Sequence, residues 1–282
     1  MPLKLKGFSA TPRHLALAAA LALSGTVLAG CESDQQMAAV YVERPIEQIY
    51  ADAWVQIQRE NWAEAGRQFD EVERQHPYSI WARRAILMSA FCMYQGNRYA
   101  EAIDAADRFI QLHPGNKDVP YAYYLKAVSL YEQVGDVDRD QQKTENALTA
   151  LQDLIQRFPN TEYARDARLK VDLTRDHLAG KEMTIGRFYL RQGEYLAAIN
   201  RFRTVIDKYQ TTSHTAEALE RITEAYMSLG VVKEAQTAAA VLGYNYPGSQ
   251  WYMDAYTLLT AENVAPMENQ ESWISKAFRV VF

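Results

Sequence analysis

Positive charge is in short supply in this chain of 282 residues: 30 lysines and arginines stand against 35 acids, a net charge of −5. No basic stripe interleaved with aromatics appears, which excludes the phosphate-backbone grip of a nucleic-acid binder. The acidic balance also argues against a broad electrostatic hold on anionic lipid. Only two cysteines occur, Cys31 and Cys92. The longest apolar run, residues 15–28, is broken by Ser24, Gly25 and Thr26. It falls short of the roughly 18–20 residues that a membrane-spanning helix needs. The catalytic signatures are missing too: no paired-histidine metal spacing, no glycine-rich phosphate loop and no serine in a nucleophile elbow. The expectation is a binding scaffold with no cofactor and no metal, not an enzyme.

What is there begins at the N-terminus. Lys4, Lys6 and Arg13 precede the apolar run, and Leu28-Ala29-Gly30-Cys31 closes it. A positive head, a short apolar middle and small residues at the cut make an export signal over residues 1–30. The closing box resembles a bacterial lipobox, which implies that Cys31 becomes the lipidated first residue of the mature chain. In the sorting pattern that goes with such a box, Asp in the second position retains a protein in the inner membrane, so Glu32 points to the outer one. Losing residues 1–30 would move the net charge from −5 to −8. With Cys31 acylated, Cys92 has no partner for a disulfide and is expected to be a buried, inert thiol.

The remaining length exceeds one ordinary domain, and internal repetition accounts for it. Segments starting at Trp62, Tyr99, Thr144, Tyr195 and Val232 each carry Ala in the fourth position: Ala65, Ala102, Ala147, Ala198 and Ala235. Ten residues after each start stand Val72, Phe109, Leu154, Val205 and Leu242, and fifteen after stand Pro77, Pro114, Pro159, Gln210 and Pro247. The alanine fits a close helix crossing, and the apolar residue seven further on shares its face two turns along. Proline stops the helix, because it lacks an N–H and clashes with the preceding turn. Turn signals precede the starts at Asn61, Gly96-Asn97, Gly193 and Gly230, and amphipathic stretches precede those at 46–58, 80–94, 121–134 and 216–229. This predicts an all-α, right-handed helix-hairpin solenoid resembling the tetratricopeptide family, with about five repeats and about ten helices. Residues 31–45 form a linker, 46–160 hold repeats 1–3, and 161–260 hold a long helix, with Gly180 as a candidate kink, and repeats 4–5. Residues 261–282 form a polar linker and an amphipathic tail that packs on the last repeat, docks on a partner or lies at the membrane.

Stacked repeats leave a concave face suited to extended peptides. Eighteen tyrosines, several on first helices, offer contact area with a polar tip. Tyr94, Tyr121 and Tyr124 are the peptide-binding candidates, with Tyr123 and Tyr131 nearby. Asp136, Asp138 and Asp140 imitate the start of a calcium loop, but Gln141 and Ala147 stand where it requires Gly and Glu, so Asp140 reads better as a helix N-cap.

Beyond the generic repeat, the run Gly186-Arg187-Phe188-Tyr189-Leu190-Arg191-Gln192-Gly193-Glu194-Tyr195, continuing through Asn200, Arg201 and Phe202, resembles the signature region of the BamD family. So do Arg139-Asp140-Gln141 in the third repeat and His76-Pro77-Tyr78-Ser79 in the first. The resemblance implies a lipoprotein on the periplasmic face of the outer membrane, within the machinery that assembles β-barrel proteins. Its C-terminal repeats would bind a POTRA domain of the barrel protein BamA, through Arg201 with Arg191, Tyr195 and Asn200 around it. Its N-terminal repeats would take the C-terminal targeting strand of unfolded outer-membrane clients, and other lipoproteins of the machinery would attend. The alternative from the same class is a pilotin-like repeat lipoprotein that assists a secretin or pilus pore.

Overall fold

In the computed structural model the described residues are 43–137 and 139–279. The export signal and Cys31 lie outside them, as does Asp138. The chain divides into a unit of residues 1–44 and a unit from Pro45 onward. The second unit carries every helix of the described residues.

These helices number twelve, and no strand occurs among the described residues. Five hairpins come first: α1 (Ile46–Gln58) with α2 (Trp62–Gln75), α3 (Ile80–Gln95) with α4 (Tyr99–Leu112), α5 (Val119–Tyr131) with α6 (Gln142–Arg157), α7 (Glu162–Arg191) with α8 (Tyr195–Lys208), and α9 (Thr215–Ser228) with α10 (Val232–Asn245). Two further helices, α11 (Gln250–Ala261) and α12 (Trp273–Arg279), correct the expected ten. After α11, Asn263 takes the same left-handed φ (58°) as Asn97 before α4, and the chain then runs without a helix to Trp273.

The repeated positions build the core. All five register alanines, and all five apolar residues seven positions later, are completely buried. Each second helix ends at one residue with φ near −130°: His76, His113, Phe158, Tyr209 and Tyr246. Four of these precede proline, which disfavours helical backbone in the residue before it. Tyr209 precedes Gln210 and stops in nearly the same place. There the Thr212 and Thr215 hydroxyls donate to the Tyr209 carbonyl, and Thr215 also donates to that of Gln210 at 2.8 Å. The Thr212 bond recurs at ends that do have proline, from Thr161 and Ser249; the Thr215 bonds are what this end adds.

The turn signalled by Asn61 is present, with its left-handed residue at Glu60 (φ 56°). Two local expectations need correction. The N-cap of α6 is Gln141, not Asp140. Its side-chain amide donates to the carbonyls of Val137 and Arg139, and its side-chain oxygen accepts from the Thr144 hydroxyl, so one glutamine ties up the inserted loop. Finally, α7 is one unbroken helix of 30 residues through Gly180. A Cβ at Gly180 would sit 3.3 Å from His214 Nε2, so the glycine admits the loop before α9.

At about 1.5 Å per residue α7 is about 45 Å long. Its first half shares a core with repeat 3 through Ala167, Val171, Leu151 and Leu154. Its second half contributes Ala179 and Met183 to the core of repeats 4 and 5. The tail resolves to its packing alternative. Ile274 of α12 is fully buried, Trp273 Nε1 donates to Tyr226 Oη at 3.1 Å, and Arg203 lies 4.6 Å over the Trp273 ring.

Candidate interaction surfaces

Successive first helices bring the tyrosines together. Tyr121 and Tyr124 on α5 both pack against Tyr163 at the start of α7, with ring centroids 5.5 and 5.2 Å apart. Tyr94 on α3 packs against Tyr99 at 6.0 Å. Two of the candidate hydroxyls already have carboxylate acceptors: Tyr124 Oη donates to Asp166 at 2.9 Å, and Tyr94 Oη reaches Glu132 at 3.4 Å. Burial, then the neighbouring Tyr163, pushes the Tyr121 hydroxyl up to about 12. Burial and the bond to Asp166 push Tyr124 up as well. Both therefore remain protonated donors at neutral pH. Tyr121 is largely a core residue, packed among Ala90, Ala105 and Leu125. Tyr123 faces elsewhere, against Phe158 and beneath Arg157, while Tyr131 lies under Lys170. Sequence reasoning missed Tyr163, the ring that joins the cluster; its place two residues after a helix cap carried no sign of proximity to α5.

The C-terminal candidates divide. Asn200 and Arg201 on α8 line one shallow groove of about 360 Å³ with Tyr189 of α7. Arg201 Nη1 lies 3.2 Å from Glu182 Oε2, with the arginine side chain still 43% exposed. Such a half-solvated pair is worth at most about 1 kcal/mol, so a competing carboxylate from outside could take the guanidinium at small cost. Arg191 ends α7 and Tyr195 begins α8 across the Gly193 turn, and neither lines that groove. Glu182 had no signal of its own in the sequence, since it lies nineteen residues from Arg201.

Cys92 is fully buried, and burial, then Asp70, pushes its thiol up to about 12. A nucleophilic cysteine needs the opposite environment. Iodoacetamide should leave Cys92 unmodified in the folded chain and label it readily in urea; labelling under native conditions would contradict this packing. Of the histidines, His214 is the N-cap residue of α9 and lies 3.6 Å from Asp176. Among the described residues no group of three or more His, Cys, Asp or Glu is placed to hold a metal ion, and no helix is long and apolar enough to cross a membrane.

Comparison with known proteins adds what geometry cannot. A family model described as "Outer membrane lipoprotein" matches residues 42–242. The chain is 55% identical over 252 residues to the outer membrane protein assembly factor BamD of Caulobacter vibrioides, covering 89% of this chain and 83% of that one. It is 46% identical over 243 residues to the protein of the same name from Rickettsia prowazekii, covering 86% and 96%. It is 32% identical over 221 residues to that of Neisseria meningitidis serogroup A, covering 75% and 83%.

Proposed function

The chain belongs to the YfiO family of outer membrane lipoproteins, and on that footing we propose that it is a non-catalytic scaffold in the assembly of outer-membrane β-barrel proteins. The name its relatives carry, outer membrane protein assembly factor BamD, supports this role. Lipid on Cys31 confines the scaffold to the periplasmic face of the outer membrane and raises its effective concentration beside other membrane-bound parts. The groove at Asn200 and Arg201 binds a POTRA domain of a BamA-like barrel protein. The tyrosine cluster at Tyr94, Tyr121 and Tyr124 takes an extended client segment whose aromatic side chains pack on those rings.

The observation that carries the reading is the state of Arg201: half exposed, in a groove, and held by a single weak pair to Glu182. An acidic residue of the partner could exchange for Glu182. Tagged protein purified from mild-detergent membranes should bring down a POTRA-bearing barrel protein in near-stoichiometric amount. Arg201→Glu should cut that recovery at least about tenfold, because a reversed charge meets two carboxylates, while the thermal melt stays within about 1 kcal/mol of the parent. Undiminished recovery would refute the assignment of Arg201. A secretin or pilus component in place of the barrel protein would favour the pilotin alternative.

A further inference from the structure

The overall charge is acidic, yet three cations gather at one end of the N-terminal repeats. Arg83 and Arg84 in the first turn of α3 and Lys117 in the loop before α5 line a groove of about 390 Å³ with Ile80, Asn116 and Asp118. Asp118 is the one carboxylate lining it. All three cations are exposed, and none has an ion-pair partner among the described residues. Beside them, at the tip of the α2–α3 loop, Tyr78 is fully exposed and Ile80 is 71% exposed. An aromatic and an aliphatic side chain held in water close in sequence to this group of cations gain nothing within the fold.

The end that carries them is also the end where α1 begins. Tyr50, in the first turns of α1, packs against Trp81 of α3 with ring centroids 5.0 Å apart. The beginnings of α1, α3 and α5 therefore lie side by side, and Pro45 caps the first of them. From Cys31 to Pro45 the chain can span at most about 50 Å.

We infer that this end, with Arg83, Arg84 and Lys117 and the exposed Tyr78 and Ile80, is a docking surface for the anionic headgroups of a phospholipid bilayer. The inference rests on the proposed lipidation of Cys31, and it adds an orientation that a flexible tether alone does not fix. Cations pair with headgroup phosphates in the groove. Tyr78 and Ile80 enter the interfacial layer, where an aromatic ring finds apolar contact at one end and water at the other. The first repeats then stand with their loop end on the membrane and the solenoid rises from it into the aqueous space. Charge complementarity and continuity with the anchored end favour a membrane over an acidic protein as the occupant.

Hydrogen exchange of the full-length chain reconstituted in vesicles tests this. In a phosphatidylethanolamine–phosphatidylglycerol mixture, backbone amides around residues 78–84 and 115–118 should exchange at least about tenfold more slowly than in pure phosphatidylcholine, since each basic residue near an anionic surface is worth about a fivefold shift. Combined Arg83→Glu, Arg84→Glu and Lys117→Glu should abolish the difference, and Tyr78→Ser with Ile80→Ser should reduce it. All five side chains face water, so the melt of each variant should match the parent. Added inorganic phosphate should not reproduce the protection. Equal protection in both vesicle types, or protection that survives the charge reversals, would overturn the inference. Intact-mass measurement of the same sample reads the acyl chains on Cys31 separately. If they are absent, the anchor reading fails, and the unlipidated chain added to the same vesicles still decides the patch.

Discussion

Gly186→Val should lower the unfolding free energy by about 3 kcal/mol, the upper end of what overpacking costs in a close-packed core. The position lies in the last third of α7, where glycine itself weakens a helix by about 1 kcal/mol relative to alanine. Helix propensity alone therefore predicts that a side chain would help. The packing predicts the reverse. A Cβ at Gly186 would lie 2.8 Å from both Cδ1 and Cζ of Phe202, and Phe202 is fully buried between Ala179, Ala198 and Val205. Even Gly186→Ala should destabilise in urea melts followed by circular dichroism. The double variant Gly186→Ala with Phe202→Leu should recover part of the loss, because the two residues share one volume. A Gly186→Ala chain as stable as the parent would mean that α7 and α8 can part without penalty, and the close crossing would lose its significance.

Glu220→Gln should do the opposite and stabilise the chain at pH 8, by about 3 kcal/mol. Glu220 on α9 is 6% exposed, and its buried Oε2 lies 3.2 Å from Arg221 Nη1 as an ion pair but without a hydrogen bond. Desolvation raises its carboxyl from 4.5 to about 7; Arg221 opposes this, and Glu224, Asp254 and Glu217 add to it. The folded chain thus holds this proton more tightly than the unfolded chain does. Between pH 4.5 and about 7 the folded state binds the extra proton, so stability falls as pH rises through that window and the full penalty applies above it. Glutamine keeps the shape without the charge. The variant should match the parent near pH 4 and diverge from it as pH increases. Arg221 loses little, since Glu217 and Glu224 lie within ion-pair distance and the Trp251 ring lies beneath its guanidinium. Parallel stability curves for the two chains from about pH 4 to 8 would show that Glu220 is ionised at no cost in the fold.

How much of this could be read beforehand depended on whether a feature repeats. The five alanines and the five apolar residues that follow them occupy one register, so each position confirmed the others, and all are buried. Pro77, Pro114, Pro159 and Pro247 marked helix ends because a ring without an N–H acts locally, whatever the tertiary context. Glu60 gave no signal, for the converse reason. Its left-handed backbone is imposed by the hairpin, and nothing in a glutamate announces it beside the more usual Asn61. Asp140 lost the cap of α6 to Gln141 because the longer side chain reaches several loop positions at once. The tail showed its amphipathic spacing, but a pattern of apolar residues does not say what covers them; the core of repeats 4 and 5 covers Ile274 and Phe278, and Tyr226 and Arg203 meet Trp273. The candidate surfaces were the least legible. Tyr163 meets Tyr121 and Tyr124, Glu182 meets Arg201, and Lys117 joins Arg83 and Arg84, all across gaps in the chain that only the stacking of hairpins closes. Whole-chain charge says nothing of such local grouping, since an acidic total can contain a cationic group.

Solenoids usually melt from their ends, because each repeat touches only its neighbours and can peel away alone. A helix that belongs to two repeats at once changes that. The first part of α7 is held by repeat 3 and its later part by repeats 4 and 5. Opening either side leaves half a helix with an exposed apolar stripe and a frayed end, which is poorly stable by itself. The two sides of the molecule should therefore open as one cooperative unit centred on α7, with α1–α2 and α11–α12 as the weaker outer layers. Proteases would then cut first at the ends and last at the middle of the chain, and strain applied at the N-terminal repeats would reach the C-terminal repeats through one rigid backbone.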